Sequence, residues 1–252
     1  MSAGLLFGVL AVVAVGLTLR TIWGFGDGMV GVPLLALFIG LDRAAPLMVG
    51  LSVIMAIGLL REQPELIERA TVLRVLIGAV LGTPFGVLVL VDLDPTWTHR
   101  ALGLVLLGFG LGSLLVRRSP GEDGESGEAP RASWLLDLGF GALAGASSAA
   151  FDIAGPPLLI HAALRGWDPD RIRLNLQAVF LPLALISAGG HAFAGLWTEE
   201  LLIYAAASLP IAALGLLFGR NLRARFSGER GQRWVYGLIA ALGLGELVRT
   251  WL

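Results

Sequence analysis

The sequence predicts an all-α membrane protein built as two inverted repeats of about five hydrophobic segments each. That gives eight to ten transmembrane helices, two of them short or broken. Three observations carry the prediction. The chain is strongly apolar and divides into segments of membrane-spanning length. Its arginines collect on one side when those segments are threaded alternately. A glycine- or proline-rich break occurs once in each half.

Of 252 residues, 56% are hydrophobic and only 15% are charged, with a mean hydropathy of +0.80. Soluble domains carry about 25% charged residues, so a chain this apolar needs the lipid bilayer as its main solvent. The net charge of -1 offers no basic face, which excludes nucleic acid as a partner. Cysteine is absent, removing disulfides and thiolate metal sites. All 18 basic residues are arginine, a compositional habit from which no function follows.

A spanning helix needs about 20 mostly apolar residues. Segments that qualify run 3–20, 28–41, 44–60, 72–91, 100–116, 134–151, 153–164, 171–190, 200–219 and 233–250. The first has no charge before it and Arg20 after it, the reverse of a secretory signal. It therefore predicts a first transmembrane helix whose N-terminus lies outside. Segments 28–41 and 153–164 are short enough to be half-helices.

Threaded from an outside start, the cytoplasmic connections hold Arg20, Arg61, Arg69, Arg74, Arg117, Arg118, Arg131, Arg165, Arg171, Arg173 and the five arginines from Arg220 to Arg233. Only Arg43, Arg100 and Arg249 fall outside, as the positive-inside rule requires. Residues 119–132 are rich in Gly, Pro, Ser and Glu and read as a flexible cytoplasmic linker. The linker separates a first transmembrane repeat, 1–118, from a second, 133–252. Gly31-Val-Pro33-Leu-Leu35 in the first reappears as Gly155-Pro-Pro157-Leu-Leu159 in the second, and an Asp-Arg pair follows each. An odd number of segments per half inverts the second half. Paired breaks in inverted halves point to a transporter site near mid-membrane.

The first break is Gly24-Phe-Gly26-Asp27-Gly28-Met-Val-Gly31-Val-Pro33. Each glycine costs a helix about 1 kcal/mol relative to alanine, so the backbone here is expected to unwind. Unwound backbone leading into a helix start offers N–H groups and a positive dipole end to an anion. The competing reading is that the glycines only permit close helix approach. The second break runs Gly145-Ala-Ser147-Ser148-Ala-Ala-Phe151-Asp152-Ile-Ala-Gly155-Pro156-Pro157. Two prolines forbid a continuous helix but suit a helix start. Ser147 and Ser148 add hydroxyls suited to oxyanions, unless they bond only to neighbouring backbone.

Asp27 and Asp152 lie in these breaks, and an intramembrane carboxylate is costly and functional by default. Beside an anion, each must be protonated, paired with arginine or holding a cation; Arg20 is the nearest candidate for Asp27. Proton or Na⁺ coupling is one reading, and solvated vestibule residues the other. His161, Asn175 and Gln177 are further coupling candidates, with Arg173 and His191 the other polar groups at membrane depth. Asn and Gln more often join helices than bind ligands. No metal-binding, nucleotide-binding or nucleophile motif is present, so neither an enzyme nor a cofactor is expected beyond a coupling ion.

The run Gly24–Pro33 resembles the glycine-rich signature of the TauE/SafE sulfite-exporter family. Ala154-Gly-Pro-Pro-Leu-Leu-Ile-His161, followed by Arg165-Gly166, resembles that family's second-half block. The resemblance implies an inner-membrane carrier of sulfite or organosulfonates. Its permeation site would be formed by Gly24, Gly26, Gly28, Pro33, Ser147, Ser148, Gly155, Pro156 and Pro157. Asp27, Phe151-Asp152 and His161 depart from the family pattern, which leaves the substrate within the anion class open. An anion channel and a carrier of a different small organic anion are the alternatives, and homo-oligomerisation is left open. The threading is checked by cysteines placed singly in this cysteine-free chain. Cysteine at Ser2 or Thr96 should react with an impermeant maleimide in intact cells. Cysteine at Ser126 should react only after permeabilisation.

Overall fold

The computed structural model describes residues 3–59, 67–115, 133–226 and 229–251, and every regular element among them is an α-helix. In chain order these are α1 (Ala3–Trp23), α2 (Asp27–Ile39), α3 (Leu41–Leu59), α4 (Arg69–Val91) and α5 (Pro95–Leu115). There follow α6 (Trp134–Phe151), α7 (Gly155–Leu164), α8 (Pro169–Phe193), α9 (Glu199–Phe226) and α10 (Glu229–Arg249). Each expected segment is a helix with shifted ends. The largest early shift is α5, which begins at Pro95, where segment 100–116 was expected. Asp94 accepts the Thr96 N–H at 2.8 Å and Pro95 follows it, an N-cap before a proline. The polar residues Thr96, Thr98, His99 and Arg100 conceal that start from hydropathy. The linker at 119–132 and Arg61, Arg117, Arg118 and Arg131 lie outside the described residues.

Six of these helices are long and apolar enough to cross a bilayer: α1, α4, α5, α6, most of α8 and the first part of α9. Large apolar side chains face outward along them, including Phe7, Leu81, Phe85, Leu104, Leu217 and Phe193. Water would not tolerate such a surface, whereas lipid requires it. The chain is a multi-pass membrane protein. Tryptophans mark both ends of the bundle, with Trp97 and Trp251 at one and Trp134 and Trp234 at the other, all well exposed. Arg100 sits between Trp97 and Trp251, 4.9 Å from each ring centroid.

Charged pairs separate along the same axis. Arg43–Glu200 and the His99–Glu246–Arg249 group occupy the end with Trp97. Arg74, Arg165 and Arg171 gather at the other, with Asp137 and Glu68. Arg20 belongs to neither end. The sequence places it in a cytoplasmic connection, but α1 runs on to Trp23 and leaves Arg20 4% exposed inside the protein. Sequence hydropathy ends a span at its first charge and cannot see that this charge has a partner within.

Two seams are closed by glycine. On α4, Gly78, Gly82 and Gly86 recur every fourth residue and lie against the backbone of Leu138, Ala142 and Ala146 on α6. A methyl group at Gly82 would stand 2.0 Å from the Ala142 carbonyl oxygen. From the other side, Gly141 and Gly145 lie on Val75 and Ala79. Small residues spaced four apart let membrane helices approach backbone to backbone, gaining dispersion contact where no hydrophobic drive exists. The α5–α10 seam uses Gly103, Gly110 and Gly243 in the same way. Six of the helix pairs follow a pattern. α4 packs on α6 as α9 packs on α1, α4 meets α8 as α9 meets α3, and α5–α10 and α3–α8 are self-related. Exchanging each helix for the one five places away maps this set onto itself.

Ten of the 13 residues of α2 are buried, and the break that precedes it is half-buried at Gly24 and Phe25 and buried at Gly26. Non-helical backbone at membrane depth needs such protein, or a cavity, beside it. The α4–α6 seam yields a test. Gly82→Ala should destabilise the protein by about 1–3 kcal/mol through overpacking, seen as a lowered melting temperature in detergent. Gly108→Ala on α5 meets nothing within 4 Å and, gaining helix propensity, should leave the melting temperature equal or higher.

Candidate functional site

Between α1 and α2 the chain turns at Gly24 (φ 84°) and Gly26 (φ 100°), left-handed conformations that glycine adopts without cost. Gln177 on α8 donates from Nε2 to the Gly24 carbonyl at 3.1 Å and holds the turn in place. The second break starts at Asp152, the one non-glycine residue with positive φ among those described (φ 55°). That conformation costs an ordinary residue about 1–2 kcal/mol, less for Asp and Asn. It is secured by the Asp152 N–H on the Ser148 carbonyl (2.8 Å) and by Ile153 on Ser147 (3.1 Å). His191 of α8 donates from Nε2 to the Ala149 carbonyl (2.6 Å), satisfying another acceptor at the end of α6. Then α7 opens on Gly155, Pro156 and Pro157. Its first turn therefore presents one backbone N–H, fewer donors than the helix-start reading of an anion site expects.

The two breaks meet. Gly28 lies so close to Asp152 that an added methyl would stand 2.1 Å from its carbonyl oxygen. Around this contact a cavity is lined by Arg20, Gly26, Asp27, Ser52, Ser148, Asp152 and Gly155, with Phe25, Met29, Phe180 and Leu183 supplying an apolar wall. Ser52 sits near the middle of α3 and Ser148 in the last turn of α6, which places the cavity well inside the bundle.

One hydroxyl joins the charges. Arg20 Nη1 donates to Asp27 Oδ2 (2.7 Å) and to Ser52 Oγ (2.8 Å). Ser52 Oγ also lies 2.9 Å from Asp27 Oδ2 and 2.9 Å from Asp152 Oδ2. A serine has one hydrogen to give. With both carboxylates ionised, one of these contacts would set two acceptors against each other. Otherwise the single hydrogen is shared between them, whereas a proton on one carboxyl, donated to Ser52, would make both full bonds. The charges agree, since one guanidinium faces two carboxylates. Arg20 and Asp27 are both nearly inaccessible, with side chains 5% and 4% exposed.

The structure thus gathers Gly24, Gly26, Asp27, Gly28, Arg20, Ser148, Asp152 and Gly155 around one point, with Gln177 bracing it. Ser147 bonds instead to carbonyls of its own helix, Leu143 (2.7 Å) and Ala144 (3.3 Å). Pro33, Pro156 and Pro157 shape α2 and α7 without lining the cavity. His161 and Asn175 lie elsewhere, toward the end that holds Arg74. There the fully buried Asp137 accepts from Arg165 and lies 2.8 Å from His161 Nε2 and 3.5 Å from Arg74. Asn175 accepts the Glu68 N–H (2.8 Å), and Glu68 accepts Trp167 Nε1 (3.0 Å). Ser52 and Phe180 line the cavity and stand out by no motif, and Phe25 lines it from within the glycine-rich run without being marked by it; a lone serine in an apolar segment gives no signal until its partners are known.

A multi-pass protein with two helix breaks meeting at a buried, charged cavity has an architecture that membrane transporters use. The comparisons agree. Residues 8–245 match the family described as "Sulfite exporter TauE/SafE", and the chain belongs to that family. It is 27% identical over 250 residues to a protein of Cupriavidus necator named "Probable sulfite/organosulfonate exporter TauE", covering 94% of this chain and 92% of that one. No solved structure matches it.

Ser52 offers a direct check on the cluster. Ser52→Ala leaves two carboxyl groups and one guanidinium hydrogen short of a partner, a cost of about 1–3 kcal/mol. Thermal unfolding in detergent should show that loss, where a hydroxyl pointing idly into the cavity would show none.

Proposed function

We propose that this chain is a secondary carrier, which moves a small sulfur-containing anion of the sulfite or organosulfonate class across the inner membrane by alternating access and couples it to protons. Family membership and the name of the C. necator relative support the substrate class. The observation that carries the coupling is the triad Asp27–Ser52–Asp152, two carboxylates sharing one hydroxyl beside one arginine.

Its charge count favours loading anion and proton together. With both carboxylates ionised the cluster is one negative charge in excess, and an arriving anion would add a second. A proton bound between Asp152 and Ser52 restores neutrality, and the anion then meets a net attraction to Arg20. Na⁺ could serve the same charge balance, but the three oxygens already form a hydrogen-bonded chain with a place for a proton. The exchange symmetry of the helix pairs supports the two inverted halves, 1–118 and 133–252, that alternating access of this kind uses.

The test uses proteoliposomes and an alkanesulfonate, which stays ionised at any working pH. In Asp27→Asn or Asp152→Asn, one-for-one substrate exchange should survive, whereas accumulation driven by a pH gradient should fall at least tenfold. Tenfold corresponds to about 1.4 kcal/mol, within the reach of one buried charge. If both variants and the double variant still accumulate substrate uphill, the aspartates do not couple. Wild-type flux that shows no counterflow would instead mark a channel.

A further inference from the structure

We infer that Arg20 is the ligand for the anion's oxygens, gripping them through the edge of its guanidinium that faces away from Asp27. The inference rests on the reading above, that the chain carries a sulfur oxyanion, and adds the residue that recognises it.

An arginine has five N–H donors in a fixed plane. The two on Nη1 are used, one on Asp27 and one on Ser52. Nε and Nη2 have no partner although both are buried. These two nitrogens form one side of the guanidinium. Their parallel N–H bonds accept two oxygens of a carboxylate, phosphate or sulfonate at once. A buried donor without a partner is costly, more so on a charged group, so an arginine 4% exposed with three idle N–H bonds is held ready for something. It lines the cavity where the two breaks converge.

The surroundings fix this plane. Phe180 of α8 lies with its ring centroid 5.4 Å from Arg20 Cζ, which supports the guanidinium face. Asp27 anchors Nη1 on the opposite side, so the free edge cannot swing away to satisfy itself. Ser148 lines the same cavity; its hydroxyl accepts from Ser187 at 3.1 Å and keeps its own hydrogen for a further acceptor. An oxyanion with three oxygens can set two on Arg20 and leave the third for Ser148, which lines the same cavity, as do the apolar Phe25, Met29 and Leu183 that suit a carbon substituent. Sulfite and short alkanesulfonates have this shape. A carboxylate has only the first two oxygens.

Binding to the purified protein by isothermal titration decides the matter, with methanesulfonate, sulfite and acetate as probes. The wild type should bind methanesulfonate and sulfite, and acetate at least tenfold more weakly. Arg20→Lys keeps the charge and the pair with Asp27 but lacks the flat edge, and should weaken methanesulfonate binding at least tenfold. Arg20→Gln with Asp27→Asn keeps the cluster's charge unchanged and should do the same. Folded variants that bind methanesulfonate as tightly as the wild type would overturn Arg20 as the ligand and leave the carrier reading intact. Acetate binding as tightly as methanesulfonate, and lost in the variants, would sustain Arg20 and overturn the sulfur specificity. A wild type that binds none of the three overturns both. Should neither variant fold, a structure of the wild type with methanesulfonate bound replaces them. Sulfonate oxygens on Nε and Nη2 are expected, and a sulfonate seated elsewhere refutes the assignment.

Discussion

Two carboxylates and one guanidinium buried together constrain everything around them. Isolated charges at membrane depth are strongly disfavoured, and removing one partner from a buried pair typically costs about 3–5 kcal/mol. The chain meets this by interrupting two helices at the same place. The interruption brings Asp27 and Asp152, far apart in sequence, to one hydroxyl on α3. It also needs glycine at 24 and 26 for the turns, and at 28 because the Asp152 carbonyl occupies the space of a side chain. Burial of α2, the brace from Gln177 and the strained backbone of Asp152 all follow from holding that one cluster closed. Asp152 is the one described non-glycine residue with a left-handed backbone, and the contacts around it hold it there.

The charges at the two ends of the bundle act differently. At the end with Arg74, Asp137 has three basic partners and Glu68 two donors besides an arginine, so both carboxylates are well partnered. Such groups tie the ends of α4, α6, α7 and α8 into one cap. In the central cluster the balance runs the other way, with donors on Arg20 unused and carboxylates short of a cation. That contrast sets a knot whose donors are taken apart from a cluster with donors to spare, and it is found by counting partners rather than by residue type.

Much of this was legible in the sequence, and the reasons are physical. Segment lengths and hydropathy locate the ten described helices because lipid demands apolar stretches, and the two after the breaks show as the short ones. The breaks could be read because glycine and proline act locally, through backbone freedom and a missing N–H. Asp27 with Arg20 was within reach because they are close in the chain. Ser52 was not, since its role depends on three partners drawn from α1 and both breaks. The same limit applies to His161 and Asn175. They look like site residues when judged by polarity and depth alone, yet they satisfy Asp137 and Glu68 near the bundle's end. Alternation of charge along the chain also misplaced Arg20, since a rule about loops cannot register a charge neutralised inside.

The α4–α6 seam has a mechanical consequence. Where two helices meet through side chains, rotamer changes let one slide on the other. Here carbonyl oxygens of each helix sit where the other would carry a Cβ, at five glycines in alternating order. No flexible layer separates them, and a shift of even half a turn would drive backbone into backbone. α4 and α6 are therefore a single beam, and the end of that beam is the Ser148–Asp152 turn. Whatever tilts the beam swings Asp152 directly, with no slack to absorb the displacement. The joints that can yield lie elsewhere, at contacts made by long side chains such as Met48 on α3 beneath Gly31, where a flexible thioether fills the gap.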